Sequence, residues 1–416
     1  MLLSVLLALT VIMLTARIVG AVFAKFNQPA VIGEVVGGIL LGPSLLGRFF
    51  PEAQAFLIPP DAAPILGVIS QLGVILYMFL VGLELDLGML RTTVSKTIAI
   101  AVSAIVTPFA LGTLLALWLG DALAPAEIDR RSFVLFIGIA LSITAFPVLA
   151  RILSDRGMQR TPLGTLALTC AAINDAIAWC LLAFAVSIMQ DTPAAGLQTA
   201  ALTAFYIALM LTGGRAIAAA AVARLDRSAR IGEQSVALVL VAVLLSSVAT
   251  EFIGIHAIFG AFLIGTIIPH DSKVATQITE RIADIVRVMF LPAFFAFTGL
   301  RTEVGLIASG QDWLICALII VVATAGKFGG TAIAAKASGL GWRDSGALGI
   351  LMNTRGLVEL IVLNLGYDLG ILSPRVFSMM VLMALLTTFM TAPLLQLHAM
   401  WKRRREPAAA SAEAAA

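Results

Sequence analysis

The sequence predicts an all-α, polytopic membrane protein of about thirteen transmembrane helices. Three observations carry this. Of 416 residues, 60% are hydrophobic and 12% charged, with a mean hydropathy of +1.03, whereas a soluble domain carries about 25% charge. Apolar stretches recur at the length that spans a bilayer, roughly 20 residues. Most of the basic residues between those stretches fall on alternate loops.

The stretches lie near 2–24, 30–47, 64–83, 94–119, 132–154, 162–190, 196–223, 233–250, 254–269, 280–300, 312–336, 345–366 and 375–399. The first lacks a basic n-region and a small-residue cleavage site, so it reads as a helix and not as a signal peptide. The second is short, and its Gly33/Gly37 and Gly38/Gly42 pairs allow close helix packing, with Glu34 about one turn from its start. The fifth is interrupted at Ser142-ITAFP-Val148, where Pro147 cannot donate to the carbonyl of Ile143. The sixth carries Asn174 and Asp175 near its centre and no other charge. The ninth is short and follows TEFIGIH, which puts Glu251 at an interface and leaves His256 as a packing or titrating residue. Lys327 lies in the middle of the eleventh. The twelfth is interrupted at Asn353-TRG-Leu357, and its Arg355 and Glu359 are spaced to pair on one helix face. Residues 1–400 form the transmembrane domain, and 401–416 read as a basic then Ala-rich cytoplasmic tail, unstructured from residue 406.

One set of loops holds 18 basic residues, including Arg91, Arg156, Arg160, Arg227, Arg230, Arg281 and Arg287, and the other holds five: Arg48, Arg130, Arg131, Arg301 and Arg375. The positive-inside rule places the C-terminus in the cytoplasm and, with an odd number of crossings, the N-terminus outside. Helices 1–6 and 8–13 read as an inverted duplication linked by helix 7. That pairs the two interrupted helices, a pattern that points to a transporter's binding site.

Composition excludes several classes. The net charge of +3 is spread over loops with no basic face for nucleic acid. Cys170, Cys180 and Cys316 sit in apolar runs, and the three histidines are scattered, so no zinc site, disulfide framework or cofactor is expected. Asp175 stands out instead. An ionisable residue at mid-membrane is costly and marks an ion or proton pathway. Carboxylate oxygen suits a hard monovalent cation, which makes Asp175 the candidate shared site for cation and proton. Asn174 supplies a carbonyl ligand or holds a neighbouring helix. Ser142, Thr144, Asn353 and Thr354 offer neutral oxygens at the interruptions, or bond locally to relieve them. Lys327 is a countercharge to Asp175 or to the ends of the broken helices, or a proton carrier. Arg355 and Glu359 read as an internal ion pair that balances charge.

The ordered motifs QPAVIGEVVGGILLGPSLLG, SITAFPVLARIL, AAINDAIAWCLLA, GIHAIFGAFLIG, LPAFFAFTGLRTE, GKFGGT and MNTRGLVELIVLNLG resemble the monovalent cation:proton antiporter-2 family, nearest to its plant and fungal cation/H+ exchanger branch. The resemblance implies a thirteen-helix inverted-repeat sodium/proton antiporter fold with two broken crossing helices. It implies dimer and core subdomains interleaved in sequence, homodimers in membrane lipid, and elevator-type exchange of Na+ or K+ for H+ across a bacterial inner membrane. The family's essential aspartate maps onto Asp175, its core lysine onto Lys327 and its unwound crossing onto Thr144 to Pro147. Two departures stand out. Electrogenic relatives carry two adjacent aspartates where this chain has Asn174-Asp175. The nucleotide-binding regulatory domain of glutathione-gated potassium efflux relatives is not expected. The alternatives are a potassium efflux channel-like protein of the same fold, an organic-anion symporter, and an intramembrane aspartyl protease. The last needs two deep aspartates, and Asp368 falls at a helix end.

Overall fold

A computed structural model describes residues 2–26, 28–84, 94–189, 193–226 and 232–413. Arg91, Arg227 and Arg230 of the expected loops lie outside them. Among the described residues all regular structure is helical. The chain begins with α1 (Leu2–Lys25), α2 (Ala30–Leu41), the short α3 (Leu46–Phe49) and α4 (Pro51–Leu57), α5 (Ala63–Glu84) and α6 (Val94–Leu123). The first broken pair follows, α7 (Arg130–Ser142) and α8 (Phe146–Asp155), and then α9 (Pro162–Met189). Next come α10 (Pro193–Leu209), α11 (Arg215–Leu225), α12 (Glu233–Ile253), α13 (Ala257–Ile267), α14 (Lys273–Ile285) and α15 (Leu291–Leu300). The chain ends with α16 (Gly310–Thr324), α17 (Gly330–Ala337), the second broken pair α18 (Trp342–Met352) and α19 (Leu357–Asp368), and α20 (Pro374–Glu413).

Nine helices among the described residues are long and apolar enough to cross a membrane. The half-helices α7, α8, α18 and α19 are too short to span alone and follow one another in two pairs, each divided by a break. Exposed leucines and valines on α1 (Leu3, Leu6, Leu14) and α12 (Leu238, Leu245, Val248) present faces that suit hydrocarbon.

Two packing groups are visible. In one, α2 crosses α1 and α15, and α13 packs on α5 and α12. In the other, α6 packs on α7, α9 and α17, and α20 packs on α16, α18 and α19. Close backbone approach needs glycine. A Cβ on Gly38 would fall 2.2 Å from the Ala296 carbonyl oxygen and one on Gly33 2.7 Å from Cα of Gly20, so the Gly38/Gly42 pair serves the α2–α15 crossing and the Gly33/Gly37 pair the α1–α2 crossing.

The structure corrects several expectations. The tenth helix begins at Lys273, because the Ser272 hydroxyl caps it by accepting from the Ala275 N–H at 3.1 Å. Arg281 and Arg287 are therefore helical and not in a loop. The first interruption occupies Ile143–Ala145, and Pro147 is already inside the first turn of α8, where a missing N–H costs nothing. The tail expected to be unstructured is helical to Glu413, in keeping with its Ala, Arg and Glu content. Three π-turns, at Met210–Gly214, Val286–Phe290 and Ala325–Gly329, were not foreseen. The last contains Lys327.

Candidate functional site

The two breaks face each other. The Ala145 N–H donates to the Thr354 carbonyl at 3.1 Å, and the Thr144 hydroxyl reaches the Met352 carbonyl at 3.3 Å. A Cβ on Gly356 would fall 2.5 Å from Cγ2 of Val148, so a side chain here would push against the Val148 side chain of α8.

Breaking a helix leaves its last four carbonyls without donors. At the end of α7 each has one. The Ser142 hydroxyl donates to the Ile139 carbonyl at 2.7 Å. Arg355 donates through Nη1 to Ala140 (3.1 Å) and through Nη2 to Leu141 (2.7 Å). Lys327 Nζ donates to the Ser142 carbonyl and to that of Ala104, the latter at 2.8 Å. Two basic side chains thus meet the negative end of α7. At the end of α18 the donors are neutral: the N–H groups of Asn353 and Thr354 and the Thr144 hydroxyl.

Arg355 also pairs with Glu359 at 2.9 Å, both side chains fully buried, as the spacing predicted. Glu359 stands in the first turn of α19, at the end favourable to a carboxylate. The Arg355 backbone is held by one α20 side chain. The Thr388 hydroxyl accepts from its N–H at 3.0 Å and donates to its carbonyl at 2.7 Å. Thr391 stands 3.4 Å from Thr354. The TT-xx-T spacing in the last helix was the available signal for these threonines, and the sequence reading passed over it.

Asp175 is 7% exposed. Neither carboxylate oxygen has a hydrogen-bond partner. The Phe146 amide, at the positive end of α8, and the charge of Lys327 act on it without closing a bond. Of the two countercharge roles open to Lys327, the contacts made are those to helix carbonyls. Asn174 is engaged. With its amide turned so that Nδ2 donates to the carbonyls of Ala101 (2.9 Å) and Cys170 (3.2 Å), Oδ1 lies 3.3 Å from the Thr144 hydroxyl, whose single proton serves either this oxygen or the Met352 carbonyl. These are helix-holding contacts between α9, α6 and the first break. Ser142 spends its proton on a carbonyl and Thr144 has the Met352 carbonyl and Asn174 within reach, while Oδ1 of Asn353 is buried with no partner.

Two cavities approach the crossing from opposite sides, and neither includes Asp175 in its lining. One, about 840 Å³, is lined by Phe146, Arg160, Leu168, Thr169, His270 and Arg287. Leu168 is two turns before Asp175 on the same face of α9. Phe146 stands edge-on to Phe262 of α13, with ring centroids 5.9 Å apart. The other cavity, about 660 Å³, is lined by Ser70, His256, Arg301, Asn364 and Asp368. There Arg301 pairs with Asp368 at 3.0 Å, and His256 caps α13 with its Nδ1 accepting from the Ile258 N–H. Glu251 is exposed and accepts from the Ala257 N–H at 2.7 Å, consistent with an interfacial position. Asp368, with 54% of its side chain exposed, is not deep. Among the described residues no group of three or more His, Cys, Asp or Glu side chains is placed to hold a metal ion.

The description "Sodium/hydrogen exchanger, transmembrane" matches residues 10–397. The chain belongs to that family. The family is one of antiporters, not enzymes, and the resemblance carried by the seven motifs is borne out. The Na(+)/H(+) antiporter NhaS4 of Synechocystis is 42% identical over 395 residues, covering 94% of this chain and 96% of that protein. Cation/H(+) antiporter 17 of Arabidopsis thaliana is 41% identical over 93% of this chain. The K(+)/H(+) antiporter 1 of Saccharomyces cerevisiae is 34% identical, again over 93% of it. This chain spans 47% of the plant protein and 45% of the yeast one. The fold is that of the sodium proton antiporter MjNhaP1 from Methanocaldococcus jannaschii, with a TM-score of 0.64 at 13% identity over 94% of this chain and 96% of that one. As a member of this family with its apolar helices, the chain is an integral membrane protein.

Proposed function

We propose that this protein exchanges Na+ or K+ for H+ across the membrane, with Asp175 as the shared site. One observation carries the reading. A carboxylate is buried at a helix crossing with both oxygens unpartnered, while the carbonyls at the broken end of α7 around it all have donors. An anion left so costs several kcal/mol unless it binds a cation or a proton. Either occupant serves the same two oxygens, so each excludes the other, and that competition is the coupling. The names of the relatives, sodium/proton in Synechocystis and potassium/proton in yeast, agree with this pair of cargoes. The test is proteoliposome transport of Na+, K+, Li+ and Rb+ under an imposed pH gradient. Cation movement that ignores the gradient overturns exchange in favour of the channel-like alternative.

In this reading the group built on α6–α9 and α16–α20 is the core, and it moves against the group of α1, α2, α5 and α12–α15, which forms the dimer contact. The 840 Å³ cavity opens to the cytoplasm, because Arg160 and Arg287 belong to the basic side. Thirteen crossings place the N-terminus outside in a bacterial inner membrane. With Cys170, Cys180 and Cys316 replaced, a cysteine at position 156 or 227 is expected to label only from the cytoplasm. Labelling of position 227 in intact cells refutes this topology.

Charge counting adds a stoichiometry. Asp175, Glu359, Lys327 and Arg355 are all buried, and two acids with two bases sum to zero. Loading Asp175 with a cation or a proton gives the same single positive charge. One-for-one exchange then moves no net charge, and a potential of 100 mV, worth about 2.3 kcal/mol per charge, does not drive it. Transport rates are expected to be indifferent to valinomycin-set potentials. A cation-dependent current on a solid-supported membrane contradicts this and makes Lys327 a second proton carrier.

A further inference from the structure

Lys327 sits where two distorted helices meet. Helix α6 carries Pro108 in its interior. A proline has no N–H for the carbonyl four residues earlier, which here is Ala104. That carbonyl is the one to which Lys327 Nζ donates at 2.8 Å. The other carbonyl the ammonium holds, Ser142, is freed by the end of α7. On the opposite helix Lys327 lies within the π-turn Ala325–Gly329, which re-aims the side chains around it. The two distortions are packed together. A Cβ on Gly326 would fall 2.8 Å from Cα of Pro108, and the Ser103 hydroxyl donates to the Gly330 carbonyl at 2.9 Å. Lys327 itself is fully buried.

We propose that Pro108 is a positioning residue for Lys327: by withholding an N–H from the Ala104 carbonyl it creates the second tether that keeps the ammonium off the Asp175 carboxylate. The tethers account for two of the three ammonium N–H groups. Without the α6 tether a mobile ammonium beside an unpartnered carboxylate pairs with it, and an incoming cation then has to displace that pair. With the tether, Lys327 offsets the dipole of α7 and leaves both Asp175 oxygens open. The transport consequence rests on the exchange reading; the tether does not.

The test is a double-mutant cycle on the full chain, read first by thermal melting in detergent. Lys327→Ala leaves the Ala104 carbonyl buried without a donor. Pro108→Ala supplies one from its own backbone. Adding Pro108→Ala to Lys327→Ala is expected to raise the melting temperature by about 2 °C, whereas in the wild type it gives no such gain. An equal shift in both backgrounds overturns the proposal. Pro108→Ser, which also restores an N–H, repeats the pattern if the proposal holds. In proteoliposomes, Pro108→Ala alone is expected to raise the apparent KM for the cation about fivefold while the maximal rate stays within about twofold. A fall in maximal rate at unchanged KM marks a general packing role and overturns it. If the wild type shows no exchange, the transport reading fails, and the melting cycle still decides the tether.

Discussion

Asp175→Asn is expected to abolish cation-dependent proton movement in a protein that folds as well as the wild type. The amide neither titrates nor carries the charge that a cation must neutralise. It also removes a carboxylate buried without a partner, so the folded state loses a desolvation cost and no hydrogen bond. The melting temperature is therefore expected to hold or rise while transport is lost. Asp175→Glu keeps the charge and displaces it by one methylene, and a misplacement of about 1 Å at a reacting centre costs on the order of a hundredfold. Residual exchange near one per cent is the expected outcome. The measurement is quenching of a pH-sensitive dye in proteoliposomes on addition of Na+ or K+. Wild-type rates from well-folded Asp175→Asn remove this residue from the mechanism.

Arg355→Met is expected to destabilise the fold by about 3–5 kcal/mol, the usual cost of stranding one partner of a buried ion pair. The side chain serves three acceptors: the carbonyls of Ala140 and Leu141 and the carboxylate of Glu359. Methionine fills a similar volume and donates to none of them. Adding Glu359→Gln removes the stranded charge and is expected to recover part of the loss, because contacting residues do not act additively. Glu359→Gln alone is milder, since the amide oxygen still accepts from Arg355. Melting in detergent reads all three variants. An Arg355→Met protein that melts within a degree of the wild type shows that the α7 end does not depend on this guanidinium.

The two interruptions were legible in the sequence because their residues are costly in a helix. SITAFP and NTRG carry proline, glycine and polar side chains where apolar helix formers surround them. The Arg355–Glu359 pair was legible from its four-residue spacing, but Arg355 lies in the break before α19 and not on a shared helix face, so it is held there by Thr388 and the α7 carbonyls. The first break lies inside the expected run, but it was attributed to Pro147, which instead opens α8, since proline is tolerated at the start of a helix as well as disruptive inside one, and sequence does not separate the two uses. Pro108 was passed over because its effect is the freeing of a carbonyl, which matters only when a donor arrives. That donor, Lys327, lies 219 positions further along the chain. Asn174 was left between two roles, and its contacts depend on α6 and on the break, neither of which its own helix predicts.

The sequence alone determined what is set by transfer into a membrane. Composition and segment length fixed an all-helical polytopic chain. The rarity of charge in its apolar runs singled out Asp175, Lys327, Arg355 and Glu359, because burying each is costly at any depth of the bundle. The tertiary structure decided how those charges are met. Which carbonyls Lys327 holds, that Arg355 reaches from the second break to close the end of α7, and that Asp175 alone of the four keeps all its side-chain polar atoms open all depend on contacts across more than a hundred residues of sequence. Hydrogen-bond partners at that separation are fixed by the packing of whole helices, and no local pattern of residue types encodes it.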